Sequence, residues 1–523
     1  MVMINTCRRA GLYCLMGVMS LLAISGCNDS TTETTTSLTS QISHQQSLSL
    51  NVSNRVDETE MSNLELLFVF DVANQNETFT VRVQDVLGRE VAGFHQGEAF
   101  QSNVVVVPES GIVPFTFDVD NASDVNGGVA KMTVIVRGDG FFSNSQVFDL
   151  TQTKMSDNYW IEIVPKSEKA EEATTFAEER VDLNGHVTSS QVDVATVSKD
   201  DSTDGGKILD GATAKLSIPA GTGFIGEDGQ PFTPLGEVSV SMMLFSADPK
   251  GLADDENNPL YLFPGGLSPD GFDGELPSDI TSPDSVTFIS AGFVAIEIGD
   301  ESGNKVSSFD GEGVTLAFEV PKSTINPQTG EPLSLDDGTI PIWSYTDSTG
   351  KWRYEGDAVI EQENENTFTV SKPITHLSYY NLDWYGQDRC QLDVDVVDAN
   401  GDPNNQKLRL SFAKAGGGWA YKPSGWGDDP EKLNINRVPA FAGHFDLLDS
   451  QGNSLLASIE VDGEVIEVAD GSEGLDLDDF CFSVSSDSTK SFKATLNIVN
   501  PPRIDIETGL FEIARSREIV QGR

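Results

Sequence analysis

Basic side chains are scarce in this chain of 523 residues, which has 33 Lys and Arg against 82 Asp and Glu and a formal net charge of −49. Proteins bind nucleic acids largely through Lys and Arg contacts to phosphates, so nucleic acid is not an expected partner. For the same reason, we do not expect a basic surface that docks on an anionic bilayer.

Long apolar runs, histidine and cysteine are also in short supply. After residue 30 no apolar run reaches the ~18 residues that suggest a membrane-spanning helix. The five histidines and five cysteines form neither H-E-x-x-H nor C-x-x-C, so catalytic zinc is not supported. Hydrophobic residues nevertheless make up 38% of the chain, which is enough to build cores. The length predicts about three or four domains.

The N-terminus has the pattern of a secretory signal. Arg8 and Arg9 precede a short apolar run that ends in Leu22-Ala-Ile-Ser-Gly-Cys27. This ending resembles a bacterial lipobox, which implies a signal peptide at 1–26 and lipid on Cys27. The alternative is an ordinary signal with an incidental cysteine. Asn28, by resemblance to Gram-negative lipoprotein sorting, favours the outer membrane, with the cell-surface and periplasmic faces both open.

The remaining cysteines fit an exported protein. Cys390 and Cys481 alone lie outside the signal and the lipidation position. An oxidising compartment favours a disulfide between them, and two unpaired buried thiols are the alternative. The Ser/Thr-rich segment 27–46 has little to bury and is typical of a flexible tether.

Short apolar runs separated by turn residues predict an all-β chain of serial β-sandwiches, Ig-like or transthyretin-like. Leu64–Phe70 and Val113–Val119 are rich in β-branched and aromatic residues, and such runs recur along the chain. The predicted domains are a sandwich at 47–165, a connector at 166–190 with one short helix, a β region of two packed units at 191–386, a third sandwich at 388–500 and a tail at 501–523.

Three passages of the second region resemble known extracellular modules. Leu216–Phe224 is similar to a strand and turn of ZU5-like domains. Ile342–Gly356 resembles a hairpin of cartilage intermediate layer proteins and bacterial surface lipoproteins, and His376–Trp384 resembles the segment that follows it. The third region resembles a carboxypeptidase-regulatory-like module. The resemblance implies non-enzymatic extracellular β modules and supplies no catalytic residues.

Two short motifs suggest catalysis or nucleotide binding but lack the expected context. Gly221–Gly226 fits G-x-G-x-x-G, yet a turn sequence follows where a dinucleotide site needs a helix. His376, Ser378 and Asp383 are the residue types of a triad, but no G-x-S-x-G surrounds the serine. We expect His376 and Tyr379 to pack on the preceding hairpin instead.

Acidic loops raise the question of calcium, whereas no organic cofactor is predicted. Asp254 and Asp255 lie in an acidic run, and Asp270 and Asp273 follow in a Gly/Pro-rich loop. Loop carboxylates are ligands that Ca²⁺ prefers, so these four residues are the candidate metal ligands. A solvated acidic surface is the alternative.

The segment Gly416–Pro430 combines aromatic residues with glycine and proline. Trp419, Tyr421 and Trp426 are suited to stacking on sugar rings or to anchoring a protein partner. Alternatively, they fold back and cap the third sandwich.

These features favour a non-enzymatic, lipid-anchored envelope protein that acts as a surface binding or adhesion module for a glycan or a protein. Two other hypotheses stay open. One is a glycan hydrolase whose two catalytic carboxylates the sequence does not reveal. The other is a periplasm-facing accessory of a secretion or assembly machine.

Overall fold

Strands account for nearly all the regular structure of the chain. The described residues hold 36 strands and three short 3₁₀ helices, at Pro259–Leu262, Pro283–Ser285 and Leu335–Asp337. This confirms the all-β prediction. None of these helices is long and apolar enough to cross a membrane. The computed structural model describes residues 43–54, 63–72, 78–121, 130–138, 140–151, 158–166, 174–181, 183–184, 187–188, 190–196, 212–245, 247, 259–269, 271–311, 313–346, 349–420, 431–449, 451–481 and 489–500.

The first region is a sandwich of a seven-stranded sheet, in the order β5-β4-β3-β7-β1-β11-β9, and a four-stranded sheet, β10-β8-β2-β6. β1 runs antiparallel to β7 and parallel to β11. Because β1 begins at Ser43, the tether ends earlier than the predicted residue 46. The strands are β1 (Ser43–Asn54), β2 (Glu65–Val72), β3 (Thr80–Asp85), β4 (Glu90–His95), β5 (Glu98–Gln101), β6 (Val105–Val106), β7 (Ile112–Asp120), β8 (Ala130–Arg137), β9 (Phe141–Phe142), β10 (Asn144–Asp149) and β11 (Asn158–Pro165).

Period-two alternation builds the core of this sandwich. Along β7 the side chains of Val113, Phe115, Phe117 and Val119 are buried, while the residues between them are exposed or half-buried. Successive side chains of a strand point to opposite faces, so one face packs inward and the other meets solvent.

The second region is built on one eleven-stranded sheet. Ten strands follow the order β12-β18-β20-β28-β25-β26-β27-β22-β16-β15, β19 pairs with β26, and a four-stranded sheet, β13-β14-β17-β21, and a hairpin, β23-β24, complete the region. The strands are β12 (Thr174–Val181), β13 (Leu183–Asn184), β14 (Val187–Thr188), β15 (Val192–Ala195), β16 (Thr213–Ile218), β17 (Gly223–Gly226), β18 (Val238–Phe245), β19 (Phe272–Asp273), β20 (Thr287–Asp300), β21 (Val306–Asp310), β22 (Val314–Pro321), β23 (Ile325–Asn326), β24 (Glu331–Pro332), β25 (Thr339–Thr346), β26 (Lys351–Glu363), β27 (Thr367–Ile374) and β28 (Tyr379–Gly386).

The structure differs from two expectations for this part of the chain. Of the predicted connector at 166–190, residues Thr174–Val181 form β12 and pair antiparallel with β18 instead of forming a helix, while residues 167–173 lie outside the described residues. The two packed units expected at 191–386 are instead one large sheet that shares a core with the smaller sheet. Phe224 of β17 and Phe309 of β21 lie in the same apolar cluster as Leu316 of β22.

The large sheet is covered on both faces. On β28, Tyr380, Leu382 and Trp384 enter the core shared with the smaller sheet, whereas Tyr379 packs into the cluster on the opposite face. Residues Tyr379–Trp384 are all buried, as expected for a strand in a sheet covered on both faces, and the polar residues Asn381 and Asp383 are among them. The end strands β12 and β15 have Cα atoms within 8 Å of each other, so the sheet curls around its core.

The third region pairs a five-stranded sheet, β31-β29-β36-β33-β34, with a three-stranded sheet, β30-β32-β35. The predicted disulfide between Cys390 in β29 and Cys481 after β35 is present, with Cα atoms 5.7 Å apart. The strands are β29 (Arg389–Val397), β30 (Arg409–Lys414), β31 (Lys432–Pro439), β32 (Gly443–Leu448), β33 (Leu456–Val461), β34 (Glu464–Glu467), β35 (Leu475–Leu477) and β36 (Thr489–Leu496).

Polar contacts join the first sandwich to the large sheet. The Tyr379 hydroxyl donates to the Ser143 carbonyl at 2.7 Å, and Lys351 Nζ lies 2.7 Å from Asp71 Oδ2. Glu297 accepts from both Lys166 and Lys305. These contacts surround the apolar cluster into which Phe142 of the first sandwich packs. Among them, the ion pair of Lys351 with Asp71 joins the hairpin β25–β26 to β2 of the first sandwich.

Candidate functional site

Trp419 does not form a free binding surface. Its side chain is 3% exposed and packs edge-on against Phe412 and Phe441 at centroid distances of 5.4 Å. The prediction that Trp419 binds a ligand is therefore wrong, and the indole belongs to the core of the third sandwich. Tyr421 and Trp426 lie outside the described residues, so their proposed role stays a prediction.

The glycines before Trp419 allow the loop to approach the large sheet closely. Ser290 N donates to the Gly418 carbonyl at 2.8 Å, and Gly418 N donates to the Ala247 carbonyl at 3.2 Å. Gly418 has a φ of +80°, and a Cβ there would lie 2.8 Å from the Ser290 carbonyl oxygen. Only glycine meets both requirements without strain. The Gly-rich sequence thus serves the contact between the second and third regions.

The predicted calcium ligands are only partly within the described residues. Asp273 lies in β19, and its carboxylate accepts a 2.8 Å hydrogen bond from Thr349 Oγ1. Asp254, Asp255 and Asp270 lie outside the described ranges. Within those ranges no three His, Cys, Asp or Glu side chains converge as a metal site. Calcium binding stays a prediction.

The three residues that resembled a triad are not brought together. His376 Nε2 lies 3.1 Å from Ser344 Oγ, the Ser378 hydroxyl donates to the Tyr345 carbonyl, and Asp383 is fully buried. His376 thus contacts the hairpin strand β25, in line with the alternative that it packs there.

A different serine, histidine and carboxylate do meet, and sequence reasoning missed them. Ser344 Oγ donates to Glu355 Oε1 at 2.7 Å, and His376 Nε2 lies 3.7 Å from the same oxygen. Burial lowers the pKa of His376, the Glu355 charge opposes this, and Arg353 adds to the lowering. Ser344 is 0% exposed, so its hydroxyl cannot reach a substrate in this conformation.

Asp383 is a buried carboxyl that has no charged partner in the described part of the chain. Both of its carboxyl oxygens and the neighbouring Asn381 Nδ2 lack hydrogen-bond partners among the described residues. Burial holds the pKa of Asp383 well above its usual range, and the nearby Ser290 hydroxyl opposes this only in part. Removing an unpaired carboxylate from water is costly, so the neutral acid is the favoured form.

A partly exposed aromatic surface lies on the hairpin and the adjacent loop. We define the tyrosine–carboxylate patch as Phe272, Tyr354, Asp357, Tyr385 and Asp279. Tyr354 donates to Asp357 Oδ1 at 2.6 Å, and Tyr385 donates to Asp279 Oδ1 at 2.8 Å. Both carboxylates are exposed, and the three aromatic rings are half-buried.

The patch stands on a rigid aromatic base. The fully buried Trp343 lies 5.1 Å from Tyr354, 5.5 Å from Phe272 and 5.8 Å from Tyr385, measured between ring centroids. Gln387 accepts from Thr281 N at 2.8 Å and donates to the Asp279 carbonyl at 2.8 Å, which ties the loop to the end of β28. These contacts hold the rings and the carboxylates in position.

A concave feature lies on the first sandwich. A shallow groove of about 430 Å³ crosses the outer face of β1 and β7 beneath the β3–β4 turn, with Ser47, Ser49, Thr116 and Val86 in its lining. Val86 is 68% exposed, but the aromatic residue of the lining, Phe115, is buried, and its carboxylate, Asp85, is paired with Arg89 at 2.6 Å, so the lining does not indicate a ligand.

Comparison with known protein families finds no matching family model, and comparison with curated proteins finds no match either. Among solved structures, the chain is similar to the BcpA major pilin subunit of Bacillus cereus, with 8% identity over 87% of this chain and 100% of that chain and a TM-score of 0.14. The Bacillus anthracis TIE protein shows 9% identity over 87% of this chain and 75% of that one, with a TM-score of 0.13. The major pilin from Streptococcus pyogenes, in a mutant form, shows 10% identity over 87% and 99%, with a TM-score of 0.12. At such low TM-scores and identities these likenesses establish neither a common fold nor a common function.

Proposed function

We propose that this chain is a lipid-anchored, non-enzymatic protein of the bacterial outer membrane that binds a ligand at its surface. The observation that carries the binding role is the tyrosine–carboxylate patch. Aromatic rings left half-exposed on a rigid sheet, with polar groups at their rim, are suited to contact with another molecule.

The proposed location rests on the sequence. The lipobox-like segment that ends at Cys27 supports a lipid anchor, and Asn28 supports the outer membrane. Acyl chains bury CH₂ groups at about 0.8 kcal/mol each, so two or three of them hold a protein on a membrane stably. The disulfide between Cys390 and Cys481 is typical of proteins from an oxidising compartment.

Lipid anchoring is tested by fractionation of cells that express the full chain. The protein should be recovered with the outer membrane, and Cys27→Ala should release it into the soluble fraction. Cys7→Ala, a change within the predicted signal, serves as the matched control and should leave the protein with the membrane. If Cys27→Ala is also retained there, the anchor is not at this cysteine.

The exposed face is tested by protease treatment of intact cells, with the third region followed by antibody. Loss of signal without permeabilisation supports display on the cell surface and an adhesion role. Protection until permeabilisation favours the periplasmic face, and the proposal of surface binding is then replaced by that of an accessory to an envelope machine.

A further inference from the structure

The tyrosine–carboxylate patch carries more charge than its surroundings neutralise. Among the described residues no basic side chain forms an ion pair with Asp279 or Asp357. Lys351 is engaged with Asp71 at 2.7 Å, and Lys372 Nζ donates to the backbone carbonyl of Asp357 at 3.1 Å. Each carboxylate accepts a hydrogen bond from a tyrosine but has no cationic partner among the described residues, so the patch keeps two negative charges that an incoming cation can pair with.

The two tyrosines and two carboxylates act as one electrostatic group. Burial raises the pKa of Tyr354, and the hydrogen bond and charge of Asp357 and the charge of Asp279 raise it further. Burial and Asp279 likewise raise the pKa of Tyr385, with added contributions from Tyr354 and Asp357. Each carboxylate is thus close enough to affect both phenols.

The hydrogen bonds also shape what the tyrosines can offer a ligand. Each phenol proton is donated to a carboxylate, so neither hydroxyl is left as a donor for an anionic or carbonyl ligand. A phenol that donates to a carboxylate has a more electron-rich ring, and aromatic faces attract cations through their quadrupole. The aromatic rings and the carboxylates of the patch therefore both favour a positively charged ligand.

We propose that the tyrosine–carboxylate patch binds the side-chain ammonium of a lysine presented by a protein partner. The ammonium of a lysine has three hydrogen-bond donors, which can bind the carboxylates. The methylene groups of the same side chain are apolar and can pack on the aromatic rings. Both carboxylates are exposed, so the patch is open to a side chain that projects from a larger molecule. The inference adds a ligand class to the proposed surface-binding role and rests on it.

The test is calorimetric titration of the purified mature protein at low ionic strength with three probes. N-acetyl-lysine methylamide should bind saturably, whereas N-acetyl-norleucine methylamide, which lacks the ammonium, should not. Tetramethylammonium, which cannot donate hydrogen bonds, should bind at least threefold more weakly than the lysine probe. If all three probes give the same heats, or if none binds, the proposal is overturned.

Matched variants locate the binding. Asp279→Asn combined with Asp357→Asn removes both charges and should lower the affinity for the lysine probe at least tenfold. Asp284→Asn changes an exposed carboxylate on the same loop and should leave the affinity unchanged. Equal effects of the double variant and the control would indicate only nonspecific attraction to an acidic protein, and the proposal fails.

Two further measurements distinguish an ammonium site from a metal site and from a folding defect of the variants. If Ca²⁺ binds and displaces the lysine probe in the wild type but not in the double variant, the carboxylates form a metal site and the ammonium assignment is wrong. Melting temperatures within about 2 °C of the wild type show that the variants are folded. Cell-surface protease accessibility is independent of these titrations, so failure of the lysine site and failure of the proposed location are distinguishable.

Discussion

The backbone N–H of Asn500 donates a 2.9 Å hydrogen bond to Asp398 Oδ2, which ties the segment after β36 to the turn that follows β29. Asp398 also accepts from the N–H groups of Asn400 and Asp402 through its other oxygen, Oδ1, at 2.9 and 3.0 Å. One carboxylate therefore holds a tight turn and fixes the C-terminal strand beside it.

The same turn recurs in all three regions. In each case an aspartate accepts from the N–H groups two and four residues later, and a glycine with positive φ occupies the position between them. These turns share the short sequence pattern D-x-x-G-x. The pattern is too short to stand out in the sequence, and the hydrogen bonds identify it as a recurring turn. The four aspartates are Asp85, Asp300, Asp398 and Asp449, and the pKa of each is lowered.

Substitution of Asp398 tests the importance of its charge. The hydrogen bond from Asn500 and those of the turn lower the pKa of Asp398 in the folded state, so its contribution to stability is present above the unfolded pKa of 3.8 and is lost as pH falls through the folded pKa. Asp398→Asn should lower the melting temperature at pH 7, with a smaller difference at pH 2.5. Asp470→Asn, an exposed control, should show little effect at either pH; a constant difference for Asp398→Asn would contradict the prediction.

For Asp383 we expect the opposite dependence of folding stability on pH. Its folded pKa lies above the unfolded value of 3.8, so the folded state binds the extra proton and stability falls as pH rises between the two values. The slope over that window is about 1.4 kcal/mol per pH unit. Asp383→Asn should remove this contribution to the slope and raise the unfolding midpoint at pH 8 more than at pH 4. Equal urea-unfolding midpoint shifts at both pH values would show that Asp383 is not a neutral acid.

Trp419→Ala is expected to destabilise the third sandwich rather than abolish a ligand contact. Removal of a buried indole leaves a cavity beside Phe412 and Phe480 and costs about 3–5 kcal/mol. Trp419→Phe keeps much of the volume and should cost less. Chemical unfolding monitored by circular dichroism measures the loss of stability in both variants. An unchanged transition for Trp419→Ala would show that the indole is not part of the core.

Removal of the disulfide should lower stability because it releases a long loop. Cys390 and Cys481 are 91 positions apart, and closing such a loop stabilises by up to about 4–5 kcal/mol on the chain-entropy model. Cys390→Ala combined with Cys481→Ala should shift the unfolding midpoint to lower urea. Reduction of the wild type with dithiothreitol should give a similar shift, while the double variant should not respond to the reductant.

The strands could be predicted because their physics is local. Alternation along Val113–Val119 requires one buried face, and β-branched and aromatic residues fit a pleated surface, so the all-β class follows from short windows. The disulfide followed from elimination, since Cys390 and Cys481 alone remained once the signal and lipidation cysteines were assigned. Neither prediction required knowledge of which segments meet.

Wherever partners come from distant segments, only the tertiary structure decided the outcome. The segment Thr174–Val181 follows an Ala/Glu-rich stretch that favours a helix, but pairing with the edge of β18 made it a strand. Trp419 was placed inside by aromatic residues up to 61 positions away, such as Phe480. Tyr385 and Asp279 are 106 positions apart and meet because the large sheet brings β28 beside the loop. Sequence alone determined what each segment could form, and the packing of distant segments determined which side chains remained available to bind.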